Sequence, residues 1–395
     1  MTTLLANVRL RDGTTADILM KDGRIADVGP GLDAGPDAER IDGEGWLVLP
    51  GLVDGHMHLD KTLTGLSWIP YRAGPDRLSR IEGEKTWRHE LPPVAERAAN
   101  LVRCCIGHGS TALRTHVDMD PILGLAHLHA LVEVREKFAN DVDMQIVAFP
   151  QSGVLRTPGT AEVLDAAMAE GADLVGGIDP ISMDGDLEGQ LAVLFGIAEK
   201  HDAGVDIHLH DYGTDGLQEI AAVTARAEAH GLQGRVTVSH GFCLGNTDDD
   251  TVARQADAMA AAGVSLATHG GASSPLPPVK ELRARGVTVF GGSDDVRDTW
   301  SPFGNGDMLV RAMLLAWRSG YRTDQDLEAA LDCTTAAGAS VLSLEGHGLS
   351  MGDRADLFTV KAETAAEAVA QHPRRGVVFK GGRLVARDDT YLGNA

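Results

Sequence analysis

Eight short apolar runs, separated by Ala-rich amphipathic segments, dominate the middle of the chain. Continuous apolar runs indicate strands buried on both faces, as in a parallel sheet. Eight strand–helix units predict an α/β fold, a (β/α)8 TIM barrel. An open, doubly wound sheet is the alternative, but no GxGxxG sequence opens a helix after any run. The runs cover residues 46–58, 111–117, 144–149, 173–178, 205–210, 235–240, 264–269 and 288–294, and the helices between them include residues 160–170, 189–201, 216–230, 248–262 and 276–285.

Both ends of the chain follow a different pattern, of short strands joined by Gly turns. Hairpin signals occur at residues 12–13 and 22–23, and again at residues 381–382. Neither end alone has enough strands to bury a face. We therefore predict a small β-sandwich domain formed by residues 1–48 and 348–395 together, and the barrel over residues 49–347.

The charge of the chain excludes several classes of partner. It has 35 Lys and Arg against 57 Asp and Glu, a net charge of −22. Because Lys and Arg drive binding to phosphates and to anionic lipid surfaces, we expect no nucleic-acid and no membrane partner. No apolar run reaches the ~20 residues of a membrane helix, and residues 1–20 lack the apolar core of a signal peptide.

The four cysteines indicate a reducing compartment. Cys104 and Cys105 are adjacent, Cys243 and Cys333 lie far from them, and no CxxC pair occurs. This pattern suits reduced thiols rather than a disulfide framework or a Cys-type zinc site. We expect a cytoplasmic homo-oligomer that acts on a small molecule.

Histidines concentrate at the ends of the predicted strands. Catalytic groups of this barrel lie at the C-terminal ends of its strands, and seven of the 15 histidines fall there. The first two, at positions 56 and 58, share one face of a strand, since side chains at i and i+2 point the same way. The seven are His56, His58, His116, His208, His210, His240 and His269.

Imidazoles and a carboxylate gathered from different strands predict a centre for a divalent metal ion. Asp294 and Asp295 end the eighth run and supply carboxylates. Neutral imidazoles with one carboxylate hold zinc while leaving a position open for water. The cation lowers the pKa of that water toward ~7, so hydroxide is available for attack near neutral pH. A carboxylate beside the water can accept its proton and pass it to a leaving group.

Motifs at the strand ends resemble those of the amidohydrolase superfamily, and more closely those of its cytosine deaminase-like group. The pattern consists of HMH at 56–58, histidines at 208 and 240, and aspartate at 294. Longer matches are RTHVD at 114–118, VAFPQ at 147–151 and DDVRD at 294–298. LVGGIDP at 174–180, HLHD at 208–211 and PFGNGDM at 302–308 are similar to members that remove an alkylamine from a triazine ring. The resemblance spans almost the whole chain.

The resemblance implies a metal-dependent hydrolytic deaminase (aminohydrolase). Its substrate would be a small nitrogen heterocycle such as a pyrimidine, triazine or pterin, from which ammonia or an alkylamine is removed. One divalent ion, zinc above all and otherwise iron or manganese, would be bound by His56, His58, His208 and Asp294. Asp294 would also exchange protons with the attacking water, and His240 would orient that water.

Substrate contacts are implied in the same way. Gln151 would hydrogen-bond the amide face of the ring, and Lys61 would enter the pocket, with a solvated loop position as its alternative. His210, together with Asp211, would protonate a ring nitrogen, and Asp295 would contact the ring or the departing amine. Independently of the resemblance, the flat indole of Trp300 is suited to form a wall of the pocket, with a core position as the alternative.

Two features of the fourth and fifth predicted strands narrow the choice of substrate and the expected number of metal ions. The cytosine deaminase-like group has a Glu three residues after the histidine of strand five, where this chain has Asp211, one methylene shorter, preceded by His210. We therefore do not expect cytosine as the substrate. Binuclear relatives bridge two metals with a carboxylated Lys or a Glu from strand four. The fourth run ends at Asp179 and supplies neither, so we expect one metal.

Alternatives remain for the reaction and for individual residues. Hydrolysis of a cyclic amide that opens the ring would use the same centre, whereas a non-catalytic protein would lack a ligand or the base. His116 either orients a metal ligand or packs in the core. His269 either selects the substrate or has a structural role. Residues 67–91 have no pattern that predicts a structure. Surface positions are expected for His89, His108, His127, His129, His201, His230, His347 and His372.

Overall fold

The computed structural model of the chain describes residues 1–71, 74–272 and 274–393. Its strands are β1 (Thr2–Arg9), β2 (Thr15–Lys21), β3 (Arg24–Gly29), β4 (Glu39–Asp42), β5 (Leu47–Pro50), β6 (Leu52–Met57), β7 (Ser110–Asp118), β8 (Asp143–Phe149), β9 (Leu174–Ile178), β10 (Gly204–Leu209), β11 (Val236–His240), β12 (Val264–Thr268), β13 (Val289–Gly291), β14 (Leu357–Val360), β15 (Arg375–Lys380), β16 (Arg383–Arg387) and β17 (Thr390–Tyr391). Its helices are α1 (Arg77–Trp87), α2 (Val94–Gly107), α3 (Ala126–Lys137), α4 (Thr160–Ala169), α5 (Leu187–His201), α6 (Gly213–Ala229), α7 (Asp249–Ala261), α8 (Val279–Ala284), α9 (Met308–Arg318), α10 (Asp324–Cys333), α11 (Ala336–Val341) and α12 (Ala365–Gln371). Short 3-10 helices lie at Arg88–Glu90 and Phe242–Gly245, and a π-helical turn lies at Pro180–Asp184.

A parallel sheet forms the centre of the molecule, with eight strands among the described residues. β6 to β13 follow one another around it in chain order. The sheet closes where the backbone N–H of Asp294 donates to the carbonyl of His56 at 2.8 Å, beside a parallel bridge between Met57 and Asp294. The predicted fold class, a (β/α)8 barrel with a separate β module from the two chain ends, is confirmed.

The first predicted run, residues 46–58, forms two strands in two different sheets, where we expected one strand. β5 pairs with β14 in the terminal sheet, whereas β6 pairs with β7 in the barrel. Gly51 separates them, and a Cβ at this position would lie 2.1 Å from Thr111 Oγ1, so the chain can approach the barrel this closely only as glycine. β5 also spans the predicted domain boundary between residues 48 and 49.

The last barrel strand is shorter than predicted, since β13 ends at Gly291 whereas the apolar run extends to Asp294. Gly292 lies against β6, where an added Cβ would be 2.5 Å from the Cβ of His56. Asp294 then adopts a φ of 59°, which lies outside the range of extended strands. The bend takes Asp294 out of the strand and places its carboxylate beside the histidines of β6.

Amphipathic helices cover the outside of the barrel. α9 buries a stripe with helical spacing: Met308, Leu309, Ala312, Leu315 and Ala316. The helix predicted at 276–285 is shorter than expected, because prolines at 277 and 278 delay the start of α8. Among the described residues, no helix is both long and apolar enough to cross a lipid bilayer.

Strands from both ends of the chain form a second sheet. Its order is β17-β16-β15-β14-β5-β1-β2-β3, with β4 beside β1. The pairing of β5 with β14 joins the two ends, and their shared core includes Leu5, Ile18, Leu357 and Phe379. The limits of this unit at residues 1–48 and 348–395 stay a prediction, and residues 394–395 lie outside the described residues.

Residues 67–91, for which the sequence predicts no structure, contain helix α1. The helix begins at a capping box, in which Asp76 accepts the N–H of Ser79 and Ser79 Oγ accepts the N–H of Asp76. Its buried residues are Ile81 and Glu84. Because α1 lies between β6 and β7 in the chain, it belongs to the loops that carry functional groups in this fold.

Candidate metal centre and active site

The predicted metal ligands meet in one buried cluster at the C-terminal ends of the barrel strands. Asp294 Oδ1 lies 3.3 Å from His56 Nε2 and 3.4 Å from His58 Nε2. His58 Nε2 lies 3.4 Å from His208 Nε2. Two ligand atoms that are each about 2.1 Å from a tetrahedral ion lie about 3.4 Å from each other, so these separations suit a shared cation.

Three groups of side chains in the described residues have ligand atoms close enough to hold a metal ion, and two of these groups overlap. Ligand atoms of His56, His58, His116 and His208 lie within 4.8 Å of one another, and so do those of His56, His240 and Asp294. His56 belongs to both groups, so they describe one centre from two sides. His116, whose role the sequence leaves open, therefore borders this centre.

Four imidazoles of the cluster are neutral at neutral pH. Burial lowers the pKa of His58 to about 3 and that of His116 to about 4. Burial also holds the pKa of His208 and His240 well below the usual range. His56 Nε2 and both ring nitrogens of His116 and His240 are buried without a hydrogen-bond partner. Buried lone pairs that lack partners are costly unless something binds them, and this set of donors fits a divalent cation.

A chain of hydrogen bonds behind the cluster orients the His56 ring. His56 Nδ1 lies 2.9 Å from Ser239 Oγ, and Ser239 Oγ donates to Asp206 Oδ1 at 2.7 Å. Asp206 in turn pairs with Arg114 Nη1 at 3.2 Å. Since the Ser239 proton goes to Asp206, Ser239 accepts from His56 Nδ1–H, which leaves the lone pair of Nε2 for a metal.

Two residues of the cluster have unusual backbone conformations. His240 has a φ of 74° and Asp294 a φ of 59°. A positive φ at a residue other than glycine is uncommon, and such conformations cost on the order of 1–3 kcal/mol unless the surroundings impose them. At Asp294 the hydrogen bond from its N–H to the His56 carbonyl imposes it. The strain therefore coincides with two residues predicted to act on the water.

His210 lies next to the cluster and is held by a buried carboxylate. Its ring stacks on His240, with centroids 4.5 Å apart and planes 25° apart. His210 Nδ1 lies 2.7 Å from Asp179 Oδ2, and its backbone N–H donates to Asp179 Oδ1. Arg77 Nη1 contacts the same Oδ2 at 2.5 Å. Asp179, which the sequence brings in only through the metal count, thus anchors His210.

Asp211 belongs to the same group of polar contacts. Its Oδ1 accepts from Ser182 Oγ at 2.7 Å, and its Oδ2 accepts from the Ser182 N–H at 3.2 Å. Arg77 Nη2 lies 3.3 Å from Oδ1. Both carboxylate oxygens of Asp211 are thus engaged beside His210, and its part in protonating the ring stays a prediction.

Lys61, Gln151 and Trp300, three of the predicted substrate-binding residues, lie on one side of the cluster. The Lys61 ammonium is 5.2 Å from the ring centroid of Trp300 and 5.5 Å from that of Phe149, and it donates to Gln151 Oε1. Phe149 stacks on His208 at a centroid distance of 4.0 Å. Because Phe149 touches both groups, the Lys61 group borders the predicted metal centre.

Asp295, the fourth predicted substrate-binding residue, has an altered acidity. Loss of solvent and the nearby charges of Asp298 and Asp294 raise the pKa of Asp295 well above its usual range. A protonated carboxyl group can donate as well as accept a hydrogen bond. This property suits contact with a ring nitrogen or with a departing amine.

Two side chains of α1 reach the site although the sequence did not reveal them. Arg77 contacts Asp179 and Asp211, and Glu84 accepts from Trp300 Nε1 at 2.8 Å. α1 buries only two residues three positions apart, so it lacks the apolar stripe by which helices are recognised. The available signal was D-x-x-S at 76–79, since Asp and Ser at this spacing begin a helix.

The expected surface position of His127 is wrong. Its side chain is 16% exposed, and Nδ1 lies 3.0 Å from Asp60 Oδ2. Burial acts against protonation, but the hydrogen bond and charge of Asp60 outweigh it and raise the pKa of His127. Asp60 Oδ2 also accepts the N–H of Asp118, which ties α3 to the end of β7.

Glu219 provides a test of whether the carboxylates of Asp179 and Asp211 raise the pKa of a buried neighbour. It is fully buried, Oε1 accepts the N–H of Ile181 at 2.9 Å, and burial together with Asp179 and Asp211 raises its pKa to about 9.

Above pH 4.5 an unfolded chain loses the proton of Glu219 while the folded protein keeps it, so rising pH destabilises the folded state. Glu219→Gln should therefore be more stable than the wild type at pH 8, by about 2 kcal/mol or more, with the difference vanishing near pH 4.5. Urea unfolding at both pH values measures it.

The matched control for this prediction is Glu228→Gln, at an exposed position on the same helix α6. Its difference from the wild type should not grow with pH. A Glu219→Gln protein that is less stable than the wild type at pH 8 would reveal an ionised carboxylate at this position and contradict the prediction.

Known proteins match the chain in sequence and in fold. The amidohydrolase family matches residues 39–386. N-isopropylammelide isopropyl amidohydrolase of Pseudomonas sp. (strain ADP) is 31% identical over 362 residues, which cover 90% of this chain and 89% of that protein. The crystal structure of N-isopropylammelide isopropylaminohydrolase from Burkholderia multivorans is 44% identical with a TM-score of 0.96, covering 99% of this chain and 100% of that one. That of 5-methylcytosine deaminase from Klebsiella pneumoniae is 27% identical with a TM-score of 0.84, covering 100% of both chains. The chain belongs to the amidohydrolase family.

Proposed function

We propose that the protein is a metal-dependent aminohydrolase that removes ammonia or an alkylamine from a small nitrogen heterocycle. The observation that carries this proposal is the buried cluster of imidazoles around Asp294, with ligand atoms 3.3–3.4 Å apart. His56, His58, His208 and Asp294 would hold one divalent cation, zinc first and iron or manganese as the alternatives. Such a cation activates a water molecule near neutral pH.

Different residues of the chain carry out the individual proton transfers of the reaction. The Asp294 carboxylate accepts the proton of the attacking water and delivers it to the nitrogen of the departing amine. His240 orients that water by a hydrogen bond. His210 donates a proton from Nε2 to a ring nitrogen, because Asp179 occupies its Nδ1. Arg77 of α1 contacts both Asp179 and Asp211, and the backbone N–H of Asp211 donates to Asp179 Oδ1, so Arg77 and Asp211 hold the pair in place.

The relatives support a substrate of defined class. They are named for N-isopropylammelide and for 5-methylcytosine. We infer for this chain a ring of that kind, an oxo- and amino-substituted triazine, pyrimidine or pterin, bound by Lys61, Gln151, Asp295 and Trp300. The HLHD sequence at 208–211 favours the alkylaminotriazine type over cytosine.

Replacing Asp179 with Asn is expected to lower kcat by about 10- to 100-fold while the metal content stays unchanged. Asn can still accept a hydrogen bond from His210 Nδ1, but it has no negative charge with which to stabilise the protonated imidazole of His210. Steady-state kinetics and metal analysis of the same preparations measure both quantities. Asp202→Asn, at an exposed position whose φ of 49° Asn tolerates, is the control. An unchanged kcat in Asp179→Asn would rule out this positioning role.

A screen of amine release tests the proposed function. Purified protein, loaded separately with zinc, iron or manganese, is incubated with aminated pyrimidines, pterins and alkylaminotriazines. We expect metal-dependent release of ammonia or an alkylamine from at least one ring. A ring-opened carboxylate as the product would indicate cyclic amide hydrolysis instead. If none of the rings yields an amine with any metal, the proposal fails.

We also propose that the enzyme is a cytoplasmic homo-oligomer. All four cysteines are free, as a reducing compartment requires. Light scattering on the purified protein tests the assembly, and the mass of a single 41.7 kDa chain would contradict it.

A further inference from the structure

Gln151 lies among three ionisable side chains that determine how its amide is oriented. Lys61 Nζ donates to Gln151 Oε1. On the opposite side, Gln151 Nε2 donates to Asp118 Oδ2 at 3.1 Å and to Glu84 Oε2 at 3.4 Å. All four side chains are buried, so water does not replace these contacts.

The reversed amide is unfavourable in these surroundings. It would place the Gln151 NH2 group against the Lys61 ammonium and the amide oxygen against two carboxyl groups. Donors would then face donors and acceptors would face acceptors, and each unsatisfied buried polar group costs about 1–3 kcal/mol. The neighbouring charges therefore select one orientation of the amide.

Glu84 acts on two elements of the pocket through one oxygen. Its Oε2 accepts from Gln151 Nε2 and also from Trp300 Nε1, the latter at 2.8 Å. The Trp300 ring lies within 5.2 Å of the Lys61 ammonium. One carboxylate of α1 thus holds both the recognition amide and the indole beside it.

We propose that Glu84 is a positioning residue for substrate recognition, which keeps the carbonyl oxygen of Gln151, and not its NH2 group, available to the ligand beside Lys61. The inference rests on the proposed function, because it requires the ring to bind against Gln151. It goes further in naming a residue outside the predicted site that helps to determine what Gln151 offers to the ring.

The fixed orientation of the Gln151 amide determines which hydrogen-bonding groups a ring must present to bind in the pocket. Gln151 Oε1 accepts from Lys61 and has a second lone pair. The Lys61 ammonium uses one of its three hydrogens for Gln151 and forms an ion pair with Asp118 Oδ1 at 3.3 Å, which leaves at least one hydrogen for a ligand. The pocket therefore presents one acceptor beside one donor. A ring edge must supply an N–H next to a carbonyl oxygen or a ring nitrogen, and N-alkylation of that edge removes the required donor.

Binding of two matched ring ligands tests the inference. Barbituric acid carries N–H groups beside carbonyls, 1,3-dimethylbarbituric acid carries N-methyl groups instead, and neither has an amino leaving group. We expect the metal-loaded wild type to bind barbituric acid at least about tenfold more tightly, measured by calorimetry. Glu84→Met, which keeps the shape but removes one of the two acceptors of Gln151 Nε2, should lower the ratio of the two affinities by at least about fivefold. Glu84→Gln keeps an acceptor oxygen and should stay within about threefold of the wild-type ratio.

The matched control is Glu82→Met, at an exposed position on the same helix, which should keep the wild-type ratio. An unchanged ratio in Glu84→Met, an equal loss of both ligands in that variant, or a wild type without preference for barbituric acid would each overturn the inference. If Glu84→Met does not fold, Glu84→Ala repeats the measurement. Because neither ligand is turned over, failure of the proposed function shows separately, as absence of amine release with the affinity ratios intact.

Discussion

Asp294→Asn is expected to lower kcat/KM by at least about 10³-fold on any heterocycle that the wild type turns over. The amide matches the carboxylate in size but cannot accept the proton of the attacking water, and it is a weaker metal ligand. The variant should fold, because Asn tolerates a positive φ better than most residues and Asp294 has a φ of 59°. Steady-state kinetics, combined with metal analysis of the same sample, measures the loss.

The matched control is Asp257→Asn on the outside of the barrel, where the Asp257 side chain is 63% exposed beside Arg285. This variant should keep wild-type activity. If Asp294→Asn kept bound metal and more than about a tenth of the wild-type kcat/KM, Asp294 would not be the group that carries the proton.

Removal of the His208 imidazole is expected to cost the protein its metal. His208 Nε2 faces His58 Nε2 at 3.4 Å, and alanine at this position supplies no donor. After dialysis against a chelator, the wild type should retain about one ion per chain and His208→Ala far less. A ligand at 100 times its Kd stabilises a protein by about 2.7 kcal/mol, so the rise in Tm on adding zinc should also largely disappear in the variant.

His129→Ala serves as the control, since His129 lies on the surface beside Glu170 with its side chain 57% exposed. It should bind metal like the wild type. Full metal content and an unchanged rise in Tm in His208→Ala would exclude His208 from the ligand set and leave His116 and His240 as the imidazoles that complete it.

The site residues on strands could be predicted because strand geometry and barrel closure leave few possibilities. His56 lies in β6 and His58 directly follows its last residue, and the two-residue period of an extended chain alone predicts that their side chains share a face. Closure of the sheet then brings the end of β13 beside β6, which is why Asp294 meets His56 although they are far apart in sequence. The same rules failed at the run 46–58, because apolar composition does not reveal that a glycine divides it between two sheets.

Two kinds of contact could not be predicted from the sequence. One is made by residues of loops, and the other depends on the register between paired strands. Arg77 and Glu84 reach the site from α1, and no periodic pattern encodes the path of a loop across the barrel. Asp179 meets His210 because the ends of β9 and β10 lie side by side, a register that becomes visible only in the paired strands. His127 was misplaced for a related reason, since its partner Asp60 belongs to a distant segment.

The antiparallel pairing of Leu47 to Pro50 with Leu357 to Val360 has a consequence for synthesis on the ribosome. The roughly 300 residues between these segments take about 15–60 s to translate. During that interval the nascent chain carries β5 without β14, so one edge of β5 is unpaired directly before the first barrel strand. Unpaired strand edges recruit other chains, so the emerging protein is vulnerable to aggregation until its last strands arrive. Deletion of residues 357–391 would make this transient exposure permanent.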